Sequence, residues 1–272
     1  MRVALPSKGR LREDCLSLLK HAGFALGSGA RATVGDIEMI EMRPRDAAAA
    51  LAVGQLDAAF LSTDIVAEHD LRELPAVGLG FARCDLVLAS REDDGRRTAA
   101  DLAGSVIATH LPRTAERYFS ERGIDARVLP MGGALEGVCV AGIADGIMDL
   151  RQSGSSLLMN GLRVLDVLEN CEALLVRRDA TVLEDLVVRV EAVLSARRQR
   201  YLMLHLPPDR IEELRGIFSG LAAPTILPLA GRDDLVAVHL VVPAAGMWSR
   251  LAQLRTIGAT GIVAIEPEAM LL

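Results

Sequence analysis

Short apolar runs alternating with amphipathic stretches along most of the chain constrain the fold more than any other feature, because this pattern builds sheets covered by helices. Val3-Ala4-Leu5 reads as a strand leading into the turn Pro6-Ser7-Lys8-Gly9. Leu11, Cys15, Leu18, Leu19 and Ala22 then recur at helical spacing, and Gly23 is placed to cap that helix. Strands are expected at 37–42, 57–62 and 85–90, with a helix opening at Pro44. After the charged break Arg91–Arg97, a strand is expected at 105–109 and a helix at 113–122, stopped by Gly123. Segments 127–129, 136–141, 146–150 and 173–177 continue the alternation. Thr181-Val182-Leu183-Glu184 fits a capping box opening a long helix that closes on Arg197, Arg198 and Arg200. The last stretch orders its elements differently: strand 201–206, helix 208–219, strands 225–229 and 235–242, helix 247–257, strand 261–265. That βαββαβ order is the ferredoxin-like pattern.

Composition excludes several classes of function. With 30 Lys and Arg against 36 Asp and Glu, the net charge of -6 gives no reason to expect nucleic acid, whose binders are normally basic. No apolar run approaches the ~20 residues of a membrane-spanning helix, and the first residues lack a signal-peptide layout, so the cytoplasm is the expected compartment. Cys15, Cys84, Cys139 and Cys171 have no CxxC spacing and read as isolated, buried thiols, neither disulfides nor metal ligands. The five histidines show no metal spacing and carry no catalytic assignment.

The segment from Ala144 to Leu157 is the most informative for chemistry. A buried strand ends in an acid and runs into a Ser/Gly-rich turn, whose amides and the hydroxyls of Ser153, Ser155 and Ser156 suit a phosphate. Asp145 and Asp149 bracket the strand, where they are suited to ribose hydroxyls or Mg²⁺-bound water; an ordinary polar turn is the alternative. Lys8, one of two lysines in an Arg-rich chain, sits in a strand-to-helix turn where a compact ammonium suits phosphate; an ordinary turn residue is the alternative. Arg43, before Pro44-Arg45-Asp46, is either an anion anchor or a helix start, and Glu136 follows the flexible Gly132-Gly133-Ala134.

Taken together these segments resemble the ATP phosphoribosyltransferase family in its long form. The resemblance runs collinearly through Leu5-Pro6-Ser7-Lys8-Gly9-Arg10-Leu11, Arg43–Asp46, Gly104–Thr109, Gly133–Glu136, Gly142–Asp145, Asp149-Leu150, Ser153–Leu157, Asn160–Leu162, Tyr201–Leu204 and Ala223–Ile226. It implies two periplasmic-binding-protein-like (type II) α/β domains flanking a cleft, over 1–88 with 175–199 and over 89–174. A C-terminal ferredoxin-like domain over 200–272 would sense histidine. It implies transfer of phosphoribose from phosphoribosyl pyrophosphate to N1 of ATP with Mg²⁺, and a dimer or hexamer. Lys8 and Asp149 would be catalytic. Glu136, Asp145, Asp149 and Ser153-Gly154-Ser155-Ser156-Leu157 would bind phosphoribosyl pyrophosphate. Arg43, Asp64 and Thr109 would bind the acceptor nucleotide, and Thr225 and Leu229 would serve regulation.

The sequence departs from the family pattern at Ala59-Phe60-Leu61-Ser62, where a Gly-Ile-Thr-Gly-like run is usual. Side chains replacing glycine there, Phe60 above all, are expected to intrude where ligand approaches the backbone. Ser156 replaces Thr, Arg151 and Gln152 replace small or apolar residues, and Leu111 replaces an aromatic. Two alternatives follow: a paralogue using a different nitrogen heterocycle as acceptor, or a binding protein without turnover.

Overall fold

The structure, a computed structural model, describes residues 1–24, 31–218 and 224–271. The expected helix end at Ser219, and Ala223 of the family-like run, lie outside these residues. The chain divides into two compact units, Met1–Ser17 with Ala25–Glu184 and Leu18–Phe24 with Asp185–Leu272.

The first unit contains two sheets. In chain order its elements are β1 (Arg2–Pro6), α1 (Gly9–His21, whose last turn belongs to the second unit), β2 (Arg31–Val34), β3 (Ile37–Met42), α2 (Pro44–Ala52), β4 (Ala58–Ser62), α3 (Thr63–Glu68), β5 (Ala76–Gly78) and β6 (Cys84–Arg91). There follow β7 (Val106–Thr109), α4 (Pro112–Glu121), β8 (Arg127–Pro130), α5 (Leu135–Val140), β9 (Gly146–Arg151), α6 (Ser155–Met159), β10 (Leu162–Cys171) and β11 (Ala173–Arg177). One sheet runs β2-β3-β1-β4-β11-β5 and the other β10-β6-β9-β7-β8. In each, a parallel trio lies beside antiparallel strands: β3-β1-β4 in the first and β9-β7-β8 in the second. Burial follows from the two-residue period of a strand. On β6, Leu86 and Leu88 join one apolar cluster, while Val87 and Ala89 join the cluster on the opposite face. A sheet covered on both faces needs such continuous apolar runs.

The chain passes between the sheets twice, from β5 to β6 and, through the single residue Glu172, from β10 to β11. The two crossings are bonded to each other: Leu79 N–H donates to Ala173 O at 2.9 Å and Ala173 N–H to Phe81 O at 3.0 Å. Thr63 locks onto the second crossing, its amide donating to Glu172 O at 3.0 Å and its hydroxyl accepting from Glu172 N–H at 3.1 Å. Cys84 opens β6 and Cys171 closes β10, and they are partners in the antiparallel register. Cys84 is half-buried. The reading of isolated, buried thiols therefore fails for this pair, because residues 87 positions apart become neighbours through strand pairing.

The second unit carries α7 (Glu184–Arg197), β12 (Gln199–Leu206), α8 (Ile211–Ile217), β13 (Thr225–Leu229), β14 (Arg232–Pro243), α9 (Met247–Thr256) and β15 (Thr260–Ile265). Its antiparallel sheet runs β13-β14-β12-β15, the ferredoxin-like order expected of βαββαβ. Leu202, Leu204 and Leu206 alternate inward from β12 to meet Leu214 and Leu254 of the two helices. Gly23 ends α1 as expected, at φ 83° with Phe24 N–H reaching back to Leu19 O.

Two local expectations are corrected. Thr181 caps no helix; its hydroxyl bonds Asp179 at 2.8 Å, Leu183 takes φ 60°, and α7 starts at Glu184. Strand β10 went unread because register shifts at Val164/Asp166 and Val167/Glu169 break its period of two.

Gly146, at the start of β9, has no room for a side chain: a Cβ would sit 3.0 Å from Ala89 O and 3.2 Å from Ile107 Cδ1. Gly146→Ala is expected to destabilise the first unit by about 1–3 kcal/mol through overpacking, read as a lower denaturant midpoint with an unchanged m-value.

Candidate active site

Parallel strands present their carboxyl ends, and the turns into the following helices, on one edge of each sheet, the usual location of ligands in α/β folds. Those turns hold Ser7-Lys8, Arg43 and Ser62–Asp64 in the first sheet, and His110, Met131–Ala134 and Gln152–Gly154 in the second. Arg45 of α2 donates a hydrogen bond to His110 O, linking a turn of one sheet to a turn of the other. Glu68 of α3 does the same for α4. It is buried, and its carboxylate accepts the otherwise unpaired amides of Arg113 at 3.1 Å and Thr114 at 2.9 Å.

Four side chains come together at this edge. Asp149, near the end of β9, places Oδ1 3.4 Å from His110 Nδ1 and 2.7 Å from the amide of Leu150. Burial pushes its carboxyl above the usual range, and the charges of Glu136 and Asp64 add to the rise, against the Leu150 amide and His110. Asp64, in the first turn of α3, is 1% exposed, and its Oδ1 has no hydrogen-bond partner among the described residues. Burial raises its carboxyl too, opposed by Ser62, His110 and local amides. Buried acids with raised pKa values at such an edge mark a site for chemistry.

The Ser/Gly turn closes the other side. Gly154 takes φ 77°, a left-handed conformation that costs a residue with Cβ about 1 kcal/mol or more, and it is followed by the first turn of α6, where the Ser155 amide donates to Ser153 Oγ at 3.4 Å. Ser153 and Ser155 pair their hydroxyls at 2.8 Å, and Ser156 donates to Glu136 Oε1 at 2.5 Å. Leu157 anchors the turn in the core, so the hydroxyls stay outward. Beside this cluster, a cavity of about 660 Å³ is lined by Thr63, Cys84, Arg151 and Glu172 among others. Arg151 pairs with Asp85 at 2.6 Å and Arg83 with Glu172 at 3.6 Å, which gives a polar wall.

The remaining expected residues divide. Lys8 and Arg43 are exposed in turns on the same edge of the first sheet. Thr109 is fully buried, its hydroxyl spent on Met148 O at 2.8 Å and the Leu111 amide at 2.9 Å, so it shapes the turn that carries His110. Asp145 is not with the cluster. It precedes β9 at the opposite edge, accepting from Val106 N–H at 2.9 Å and Arg96 at 3.3 Å, so the geometry gives it a structural post instead of a place at a ribose. The expected intrusion of Phe60 is also absent: it is 1% exposed, inside β4 between β1 and β11. Thr225 is exposed and Leu229 half-buried, both on β13 of the second unit. Sequence reading passed over His110. Its one signal, a polar residue just after a strand and before a Pro-initiated helix, becomes informative only when β7 and β9 are seen side by side.

Asp145→Ala is expected to lower stability by about 1–3 kcal/mol through the orphaned Val106 amide, read as a lower urea midpoint. Asp64 gives the opposite sign. A carboxyl raised in the folded state binds more protons folded than unfolded, so it weakens the fold as pH rises past the ordinary Asp range. Asp64→Asn should therefore be more stable than wild type at neutral pH, with the advantage shrinking as pH falls through the raised pKa, as urea midpoints across pH will show.

A family model described as ATP phosphoribosyltransferase matches residues 43–199, and one described as the HisG C-terminal domain matches residues 196–268. An ATP phosphoribosyltransferase of Gemmatimonas aurantiaca is 36% identical, covering 100% of this chain and 99% of the relative. One of Maricaulis maris is 35% identical over 100% and 98%. Among solved structures, an ATP phosphoribosyl transferase (HisG:HisZ) complex from Thermotoga maritima matches 70% of this chain and 98% of its own, at 27% identity and TM-score 0.61. No helix among the described residues is long and apolar enough to cross a membrane. The chain belongs to the ATP phosphoribosyltransferase family, in the long form that carries the C-terminal domain.

Proposed function

We propose that the chain transfers the phosphoribosyl group of phosphoribosyl pyrophosphate to N1 of the adenine of ATP, releasing pyrophosphate, as the first step of histidine biosynthesis. The observation that carries this reading is the convergence of Asp149, Glu136 and the Ser153–Ser156 turn on one sheet edge, facing Asp64, in a chain of this family. The site needs no covalent nucleophile. Breaking the C1–oxygen bond sends its electron pair to pyrophosphate and leaves oxocarbenium character on ribose, and the lone pair of N1 forms the new bond. Stabilising these charges and aligning donor with acceptor supply the rate.

Each residue has a role suited to its place. The amides and hydroxyls of Ser153, Gly154, Ser155 and Ser156 hold the 5′-phosphate, with Leu157 fixing the turn. Asp149 faces the ribose, where its negative charge favours the developing cation, and His110 orients it. Glu136 holds Ser156 and presents its second oxygen to the substrate. Lys8 meets the departing pyrophosphate from the opposite sheet, while Arg43 and Asp64 line the acceptor side. Among the described residues no group of three or more His, Cys, Asp or Glu side chains is placed to hold a metal. Scattered single carboxylates suit Mg²⁺, which typically keeps its waters and takes one or two carboxylates alongside substrate phosphates. Bound with the donor, Mg²⁺ supplies neutralisation of the pyrophosphate charge, and Asp149 and Glu136 are the side chains placed to meet it.

The C-terminal unit, with Thr225 and Leu229 on its edge strand, would bind histidine and help assemble a homodimer or hexamer. Pyrophosphate release with phosphoribosyl pyrophosphate, Mg²⁺ and ATP tests the whole reading. ATP-dependent release, suppressed by histidine and reduced roughly a hundredfold or more in Asp149→Ala, is the expected result. Normal turnover in that variant would show that the active site lies elsewhere.

A further inference from the structure

Cys84 and Cys171 have no role in phosphoribosyl transfer, yet their placement is specific. Cys84 is the first residue of β6 and Cys171 the last of β10, so one thiol stands at each crossing between the two sheets. They are direct partners in the antiparallel register. Opposed residues in such a pair point to the same face, with Cα atoms about 4.5–5.5 Å apart, within the ~4.4–6.8 Å that a disulfide spans. Both line the cavity of about 660 Å³ beside the acidic cluster, from which a small solute reaches the half-buried Cys84, with Cys171, 2% exposed, directly behind it. Cys15 and Cys139 are fully buried and lack this access.

We propose that Cys84 and Cys171 are a redox-responsive dithiol, closed to a disulfide by a peroxide-class oxidant, and that the bond, by stapling the two crossings, slows the enzyme. Cys84 is the attacking thiol because it is the more exposed. The hydrogen bond from Cys171 draws its thiol down, whereas that bond and burial push Cys171 up. A thiolate at Cys84 attacks one oxygen of hydrogen peroxide, forming an S–O bond and breaking O–O, and the departing hydroxide takes up the proton the thiol gave. The sulfur of Cys171 then attacks the sulfenic sulfur, S–S forms, S–O breaks, and a second water leaves with the proton of Cys171. Two electrons pass from the two thiols to the peroxide, and a dithiol reductant reverses the change.

The crossings matter because the reacting groups are divided between the sheets they join. Asp64 and Lys8 belong to one sheet, Asp149 and the phosphate turn to the other. Both thiols lie in the second sheet, where β6 leaves one crossing and β10 enters the other, so a covalent link between them ties the two crossings to each other at that edge, while turnover requires binding, transfer and release.

The test treats the intact enzyme with hydrogen peroxide, maps thiols and disulfides by peptide mass spectrometry, and follows pyrophosphate release. The expected result is a peptide pair joining Cys84 to Cys171 with loss of two hydrogens, loss of most of the turnover, and recovery of both on adding dithiothreitol. Cys15 and Cys139 should stay reduced. In Cys171→Ser, peroxide should leave a sulfenic acid on Cys84 and a much smaller loss, each variant being measured against its own untreated rate. No Cys84–Cys171 link in the wild type, a link without change in turnover, or an equal loss in Cys171→Ser would overturn the proposal. Mapping the wild type decides the first of these even if the variant fails to fold.

Discussion

Thr63 accepts the amide proton of Glu172 on its hydroxyl and donates its own amide to the carbonyl of the same residue. This small ring joins the end of β4 to the one residue between β10 and β11. Since β10 belongs to one sheet and β11 to the other, the ring determines how the sheets leave their common junction. Asp64 is the next residue along. It is carried into the protein by the first turn of a helix whose last residue, Glu68, is held by the α4 amides. A short helix clamped at both ends, on opposite sheets, cannot rotate to take its carboxylate back to water, which explains how a buried oxygen without a partner persists at Asp64.

The carboxylates of the first unit show why residue type alone does not identify chemistry. Glu68 and Asp145 have their oxygens occupied by backbone amides and, for Asp145, by Arg96. Such groups act structurally, because their lone pairs are already used. Asp64 is buried with one oxygen lacking a partner among the described residues, Asp149 is half-buried, burial raises both carboxyls, and the charge of Asp64 adds to the rise at Asp149. Placing uncompensated acids together opposes folding, and the arrangement persists because an incoming sugar, cation or base supplies what the protein withholds. The sorting follows the sheet: the satisfied Asp145 lies at the amino edge of β9, the unsatisfied Asp149 towards its carboxyl edge.

Much of the fold was legible in the sequence wherever one residue period ran unbroken. β3, β6, β9, β12 and β14 were found because period-two burial or continuous apolar runs mark them, and the βαββαβ order followed from their spacing. β10 was missed where two bulges shift its faces, and the start of α7 where Thr181 bonds backwards to Asp179. For the site, the Ser/Gly turn and Asp149 were visible because a strand end and a glycine-rich turn are local features. His110, the idle Phe60 and the partnered Asp145 were not, since each depends on which strand lies alongside, and that is decided by pairing over tens of residues. Asp145 and Asp149 look equivalent in sequence, four residues apart on one apolar strand, and only the direction of that strand separates them.

Division of the reacting groups between two sheets has a further consequence. A residue on a single rigid element is positioned by its own packing, and a change in that packing moves it alone. Here the gap between Asp64 and Asp149, and between Lys8 and the phosphate turn, is set by neither element but by the crossings both depend on. Catalysis by alignment is sensitive to displacements of about 1 Å, so the bonds at the crossings act on the reaction while touching no substrate. The same reasoning explains the polar wall built there by Arg83, Glu172, Arg151 and Asp85. Arg151 and Asp85 tie β9 to β6 within the second sheet, while the Arg83–Glu172 pair joins the two crossings through side chains that yield more readily than packed apolar ones, which suits a site that must admit two large anionic substrates and release two products.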